Sequence, residues 1–175
     1  MSGQPSASDD GPRAALVELY DAALPHVYGY LLARCGRTAL AEDLTAETLL
    51  AAVDAVRRDD PPTLSVPWVI GVARHKLVDH WRRETRDERS LRAMVDDSPP
   101  PEDRWDVQLD LVRARETLQR PGPHHRAALT LRYLDDLPVP RVAALLERTV
   151  HATEALLVRA RIAFRRAYGE VACDG

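Results

Sequence analysis

Acidic side chains recur at helical spacing between residues 40 and 56 of this sequence. At about 100° per residue, Asp43, Glu47 and Asp54 share one strip with Leu50. Small and apolar side chains flank the strip, with Leu40, Leu44, Thr48, Ala51 and Ala55 on one side and Leu49, Val53 and Val56 on the other. Such a helix either packs on two sides with a solvated edge or offers the edge to a basic partner helix. The residues alone leave both interpretations open.

A basic face is predicted on the next helix along the chain. The predicted core stripe of that helix consists of Ile70, Ala73, Leu77 and Trp81, and the opposite face of His75, Lys76, Asp79, Arg82 and Arg83. Trp68 lies at the first turn. Cations neutralise phosphates, and aromatic rings stack on unstacked bases. The face therefore suits single-stranded nucleic acid, whereas the alternative is an ordinary solvated face with Trp68 turned into the core.

Two helices joined by a short turn are predicted at residues 139–146 and 151–168, which are helix-turn-helix proportions. The last helix carries four arginines, Arg159, Arg161, Arg165 and Arg166. Residues 106–170 contain eleven Arg and eight Asp or Glu, within a chain of net charge −3. Because the whole molecule is not basic, any DNA contact must come from such local patches.

Catalytic and metal-binding patterns are not found in the sequence. The six histidines include no H-E-x-x-H, and neither a phosphate-binding glycine loop nor a G-x-S-x-G turn is present. His124 and His125 follow a Pro-Gly-Pro break and are expected to be exposed, and Cys35 and Cys173 are expected to be free thiols. We therefore predict a protein that acts by binding, without catalytic residues, metal ligands or cofactors.

The composition predicts an all-α fold, since Ala, Leu, Arg, Asp and Glu dominate and no alternating strand pattern occurs. Helical periodicity begins at residue 13, with Pro25 expected to kink or split the first helix and Gly36 to end it. Thr38 is expected to cap a second helix over residues 39–57. Further helices are predicted at 67–86, 105–119 and after the break at 121–123.

The helices group into two modules joined by a flexible Pro-rich linker. We predict a disordered arm at 1–12, a first module at 13–90, a linker at 91–104, a second module at 105–170 and a tail at 171–175. No apolar run has the length of a membrane span, and the start lacks the basic and apolar regions of a signal peptide. We therefore expect a cytoplasmic protein without membrane insertion.

Three blocks of the sequence together resemble a known family. Residues 41–48, A-E-D-L-T-A-E-T, resemble the A-E-D-L-T-Q-E-x signature of bacterial sigma factors of the extracytoplasmic-function (ECF) group. Residues 68–83 are similar to their A-W-L-L-R-I-A-R-N-R-x-I-D-x-x-R-R helix. Residues 129–137 resemble the L-x-L-R-Y-x-E-G-L motif at the start of their helix-turn-helix. Residues 159–161 match the R-A-R motif at its end. The order of the blocks, with a polar tether between them, is more specific than any block alone.

The resemblance implies a role for each surface. The first module would correspond to sigma region 2 and the second to sigma region 4. Core RNA polymerase would bind the acidic strip, through Asp43, Leu44, Glu47, Leu50 and Asp54. The minus-ten element would be captured and opened by Trp68, Arg74, His75, Lys76, Asp79, Arg82 and Arg83. The minus-thirty-five element would be bound in the major groove by His151, Thr153, Glu154, Arg159 and Arg161. An anti-sigma factor is the regulator that the family implies.

The chain departs from the family pattern at two places. Ser65, Val66 and Pro67 stand where the family usually has an aromatic or basic pair. Glu154 opens the recognition helix in place of basic residues, and Glu147 replaces the common turn glycine. A glutamate repels phosphates but accepts a hydrogen bond from cytosine. The promoter preference is therefore unusual, or the second module binds DNA weakly.

Two other functions stay open at this point. A stand-alone helix-turn-helix regulator would need neither the acidic strip nor the first module. A sigma-like protein that only binds polymerase or an anti-sigma partner would tolerate the acidic residue in its recognition helix.

Overall fold

The computed structural model describes residues 10–58, 62–91 and 111–173, and every regular element in these ranges is a helix. The elements are α1 (Asp10–Cys35), α2 (Thr38–Val56), α3 (Val66–Leu91), α4 (Leu111–Leu118), α5 (Pro123–Leu129), a π-helical turn (Thr130–Leu134), α6 (Val139–Leu145) and α7 (Val150–Cys173). The predicted all-α class is therefore confirmed. The predicted linker and most of the predicted arm lie outside the described residues.

Of the two outcomes expected at Pro25, a kink or a split, the split does not occur, because α1 is continuous through that residue. Proline removes one backbone N–H from the helical ladder, but Pro25 lies on the exposed side, where water can bind the carbonyl left without a partner. On the same turn, the ring Nδ1 of His26 donates to the Ala22 carbonyl oxygen at 2.9 Å. The helix is therefore not interrupted at Pro25.

The turn between α1 and α2 depends on Gly36. Its φ of 65° lies in the left-handed region, and its N–H donates to the Leu32 carbonyl oxygen at 3.0 Å. Thr38 is the first residue of α2 rather than its cap, because Arg37 occupies the cap position without a side-chain hydrogen bond. The expectation that Thr38 caps this helix was therefore wrong by one position.

The first helices are held by an apolar core. Ala23, Val27 and Leu31 of α1 are fully buried, as are Val69 and Ala73 of α3. A small cavity of about 20 Å³ shows that the three helices meet there, and it is lined by Leu19, Tyr20, Ala23, Leu49, Ala52, Val53 and Val69. Burial of these apolar residues determines which face of each helix remains exposed to solvent.

A second core joins α4, α5 and α7. Leu118, Leu129, Ala160 and Phe164 are buried together, and the Phe164 ring stacks against Tyr168 with centroids 5.9 Å apart. Arg113 of α4 adds a cation–π contact to Tyr168, at 4.1 Å from the ring centroid. These contacts secure the middle and the second half of the long helix α7.

Two compact units are distinguished by the contacts of the chain, residues 1–76 and 77–175. The boundary falls within α3, a single helix. The sequence-based boundary at 91–104 lies mostly outside the described residues, so it stays a prediction.

Candidate functional site

The acidic strip of α2 is exposed in the structure. Asp43, Glu47 and Asp54 face solvent, and Leu50 between them is 65% exposed. Leu44, which was grouped with them, is 2% exposed and belongs to the core. An exposed leucine framed by carboxylates suits a partner surface that offers both an apolar contact and positive charge.

Two buried threonines lie on the side of α2 that faces the core. The Thr45 hydroxyl donates to the Ala41 carbonyl oxygen and the Thr48 hydroxyl to the Leu44 carbonyl oxygen, each at 2.6 Å. Since both hydroxyls are satisfied within the helix, threonine can be buried here without an unpaired polar group. Burial of this side leaves the acidic strip on the exposed side of α2.

The acidic strip and the basic face meet at one ion pair. Lys76 Nζ lies 3.5 Å from a carboxylate oxygen of Glu47, and both side chains are partly exposed. Exposed pairs of this kind contribute about 0–1 kcal/mol to stability. Either charge can therefore be exchanged for an external partner at small cost.

Helix α3 begins with an N-terminal cap that was not predicted from the sequence. The Ser65 hydroxyl oxygen accepts a hydrogen bond from the Trp68 N–H at 3.3 Å, and Pro67 lies in the first turn as expected. The sequence does carry a signal for this cap, because Ser65 directly precedes the helix and serine is a preferred N-cap residue. The cap holds the half-buried Trp68 at the N-terminal end of the basic face.

The basic face of α3 is only partly free. His75, Asp79 and Arg83 are exposed, whereas Arg82 is partly buried. The Arg82 guanidinium donates to Asp79 at 3.1 Å and forms a second ion pair with Glu147. Arg74 is partly buried as well. The side chains predicted to bind the minus-ten element thus lie on one helix but differ in accessibility.

The start of α7 is shaped by two threonines. The Thr149 hydroxyl oxygen accepts from the Ala152 N–H at 3.1 Å and so caps the helix. Thr153 is 0% exposed, and its hydroxyl donates to the Thr149 carbonyl oxygen at 2.9 Å. A fully buried side chain cannot reach a DNA base, so Thr153 has a structural role in this conformation.

The remaining predicted groups of α7 divide by exposure. His151 and Glu154 face solvent at the first turns, whereas Arg159 and Arg161 are partly buried further along. The N-terminal residues of a recognition helix are those that approach base edges. The exposed surface there therefore includes an imidazole and a carboxylate.

His125 is partly buried rather than exposed, as is His124, so the expectation for this pair was wrong. Their rings lie 4.1 Å apart. Burial lowers the pKa of His125 below its usual value, and the positive charges of Arg159 and Arg148 lower it further. The neutral imidazole is therefore the favoured form beside these arginines.

Across the residues that the structure describes, no cluster of three or more His, Cys, Asp or Glu side chains is arranged to hold a metal ion. Within the same ranges, no helix combines the length and apolarity needed to cross a bilayer. Cys35 is a free, buried thiol.

Comparison with known proteins identifies the first part of the chain. Residues 19–87 match the family model of Sigma-70 region 2. The ECF RNA polymerase sigma factor BldN of Streptomyces coelicolor is 31% identical over 158 residues, which is 86% of this chain and 59% of BldN. The RNA polymerase sigma factor CarQ of Myxococcus xanthus is 28% identical over 145 residues, which is 78% of this chain and 79% of CarQ. The chain thus spans less than two thirds of BldN but more than two thirds of CarQ.

A solved structure has a similar fold. The sigma factor RpoE of Bartonella quintana, crystallised with the anti-sigma factor NepR, matches with a TM-score of 0.52 and 17% identity, over 87% of this chain and 96% of that one. This likeness concerns the fold alone. The helix signatures, the region 2 match and the curated relatives agree: residues 19–87 belong to the Sigma-70 region 2 family, and the chain is similar to RNA polymerase sigma factors of the ECF group over most of its length.

Proposed function

We propose that this protein binds core RNA polymerase and directs it to specific promoters in the cytoplasm, acting by binding rather than by catalysis. The observation that carries the proposal is the Sigma-70 region 2 match over α1 to α3. It coincides with an exposed acidic strip on α2 and a basic face on α3. Curated relatives with this function match most of the chain.

The acidic strip is the proposed polymerase-binding surface. Asp43, Glu47 and Asp54 would attract a basic helix of the polymerase, and Leu50 would pack against an apolar patch beside it. Burying an exposed leucine supplies affinity, whereas rim charges mainly raise the association rate and select the partner. Leu44 would support the strip from the core rather than contact the polymerase.

The basic face of α3 is the proposed minus-ten surface. Trp68 at the capped end offers a ring for an unstacked base, and His75, Lys76, Arg82 and Arg83 offer groups for the phosphates. Arg74 and Asp79 would position these groups, and Asp79 already holds Arg82 by a hydrogen bond. Single-strand binding of this kind needs both charge and stacking, which explains why they occur on one helix.

The helix-turn-helix is the proposed minus-thirty-five surface. His151 and Glu154 would approach base edges in the major groove, while Arg159 and Arg161 further along α7 would contact the backbone. A glutamate accepts a hydrogen bond from the cytosine amino group and is repelled by phosphates. We therefore propose a cytosine in the bound element and a small contribution of this module to total affinity.

An anti-sigma factor is the proposed regulator. The sigma factor RpoE of Bartonella quintana, whose fold is similar, was crystallised with such a partner. The same exposed surfaces that would bind polymerase and DNA are available to a competing protein. Sequestration would then act by mass action, without any change in the chain itself.

Run-off transcription tests the proposal. Purified core RNA polymerase is mixed with promoter fragments of the protein's own genome, with and without the protein. Specific transcripts that require the protein would support the proposal and reveal its promoter elements. Binding to core polymerase without initiation at any fragment would contradict promoter direction. The absence of both binding and initiation would contradict the proposed function entirely.

A further inference from the structure

We propose that this protein has a nucleotide-binding cleft, which is lined by residues of α3, α5, α7 and the turn between α6 and α7. The volume of the cleft is about 480 Å³, and sites for small molecules measure roughly 300–1,000 Å³. The described residues that line it all belong to one compact unit, residues 77–175. The proposal goes beyond promoter binding, since a free nucleotide would bind there without polymerase or DNA.

The floor of the cleft is apolar. Its side chains are those of Trp81 in α3, Ala127 in α5, Leu146 in the turn and Leu156 in α7, and each is at most 9% exposed. Burial of apolar surface favours binding, and a planar ring covers such a floor with one face. The floor is therefore suited to a nucleobase.

A hydrogen-bond donor of this floor is left without an acceptor. Trp81 is 1% exposed, and its indole Nε1 has no hydrogen-bond partner among the residues that the structure describes. A buried N–H without an acceptor is unfavourable, because it has lost its contact with water and gained nothing in exchange. Nucleobases carry carbonyl and ring-nitrogen acceptors at their edges. A base in the cleft would therefore supply the acceptor that Trp81 lacks.

The rim of the cleft is basic. Arg82, Arg86 and Arg148 line it, and Glu147 is the carboxylate among the described lining residues. Glu147 already forms an ion pair with Arg82, so this acidic group is neutralised. Guanidinium groups bind phosphate through paired N–H donors. The rim therefore provides a site for a phosphate group through Arg86, which is exposed, and Arg148, which is partly buried.

The electrostatic field at one end of the cleft also favours an anion. His124 lines the cleft, and its neighbour His125 has a pKa that is lowered by burial and further by the positive charges of Arg159 and Arg148. The positive potential of these arginines thus extends to this end of the cleft. A nucleotide combines the two parts that the cleft accommodates, a planar base with acceptors and a phosphate of about two negative charges.

Nuclear magnetic resonance of the full chain tests the proposal. The chain has three tryptophans, and the variants Trp68→Phe and Trp105→Phe identify two of the indole N–H resonances, so that the third belongs to Trp81. Isotope-labelled protein is titrated in turn with the 5′-monophosphates of adenosine, guanosine, cytidine and uridine. We expect at least one of them to shift the Trp81 resonance to saturation, with a dissociation constant of about 10 μM to 1 mM. The matching nucleoside, without phosphate, should bind roughly ten-fold more weakly.

A pair of arginine variants separates the cleft from general attraction between charges. Arg86→Gln removes one guanidinium from the rim and should raise the dissociation constant about ten-fold. Arg115→Gln is the matched control, because Arg115 is exposed on α4 and is not among the residues that line the cleft. Both variants lose one positive charge, and only the first loses a proposed phosphate contact.

Each outcome decides the matter. A saturable shift of the Trp81 resonance that Arg86→Gln weakens and Arg115→Gln does not weaken supports the cleft. An unchanged Trp81 resonance with all four nucleotides overturns it, and so does a shift that both variants weaken equally or that neither weakens. A shift with a short DNA single strand but with none of the nucleotides also overturns it, in favour of a DNA contact. Because polymerase and promoter are absent from this experiment, its failure is distinct from a failure of run-off transcription.

Discussion

Replacing Leu50 with alanine separates partner binding from folding, because this side chain is 65% exposed in the free protein. Full burial of a leucine side chain stabilises by about 1.5–3 kcal/mol, so burying the exposed 65% on docking would contribute about 1–2 kcal/mol. Leu50→Ala removes most of that contact. We therefore expect the dissociation constant for core polymerase to rise about 5- to 30-fold.

The assay is titration of fluorescently labelled protein with core polymerase, combined with thermal unfolding of the free protein. The melting temperature should hardly change, because an exposed position in a helix interior tolerates alanine. Val112→Ala is the matched control, since Val112 is 69% exposed on α4 and does not belong to the acidic strip. Equal polymerase affinity of Leu50→Ala and wild type would refute the docking assignment.

Three further predictions address DNA opening, the second core and pH. The double variant Arg82→Ala, Arg83→Ala should reduce open-complex formation, measured by permanganate footprinting, while the affinity for polymerase is retained. Normal promoter opening would mean that the basic face of α3 is an ordinary solvated surface that does not bind DNA. Phe164→Ala should lower the free energy of unfolding by about 3–5 kcal/mol, measured with urea, because the Phe164 ring of α7 is buried against α4 and α5. A loss below about 1 kcal/mol would contradict that packing. His125 has a lowered pKa in the folded state, so the unfolded chain takes up a proton first as pH falls. Stability should therefore be complete above about pH 6.5 and decline below it, and His125→Gln should flatten this decline in urea titrations; an unchanged slope would assign it to other groups.

Helical periodicity predicted the elements well because burial follows it directly. The stripe of α3 ends in Trp81, which is 1% exposed, and the acidic strip of α2 faces solvent as its spacing indicated. Periodicity was less informative at α1, where Pro25 predicted either a kink or a split. The outcome there depended on which side of the helix Pro25 occupies, and that is decided by packing against other helices.

Side-chain roles at the candidate surfaces were harder to predict. Thr153 lies beside the exposed Glu154, yet it points into the core with its hydroxyl bonded to Thr149. The ion pair of Lys76 with Glu47 joins two helices, and the pair of Arg82 with Glu147 joins a helix to a turn. Contacts between residues far apart in sequence leave no periodic signal, and they decide which charged groups remain available to a partner.

The π-helical turn at Thr130–Leu134 bears on how related chains can differ in length. The Asp135 N–H donates to the Thr130 carbonyl oxygen at 3.0 Å, across five residues rather than four. A π-helical turn accommodates one residue more than an α-helical turn. A single-residue deletion here would therefore be absorbed as a regular turn, leaving α7 in its original rotation. Alignments should place one-residue gaps at this turn rather than within α7, and deletion libraries should retain folded variants there.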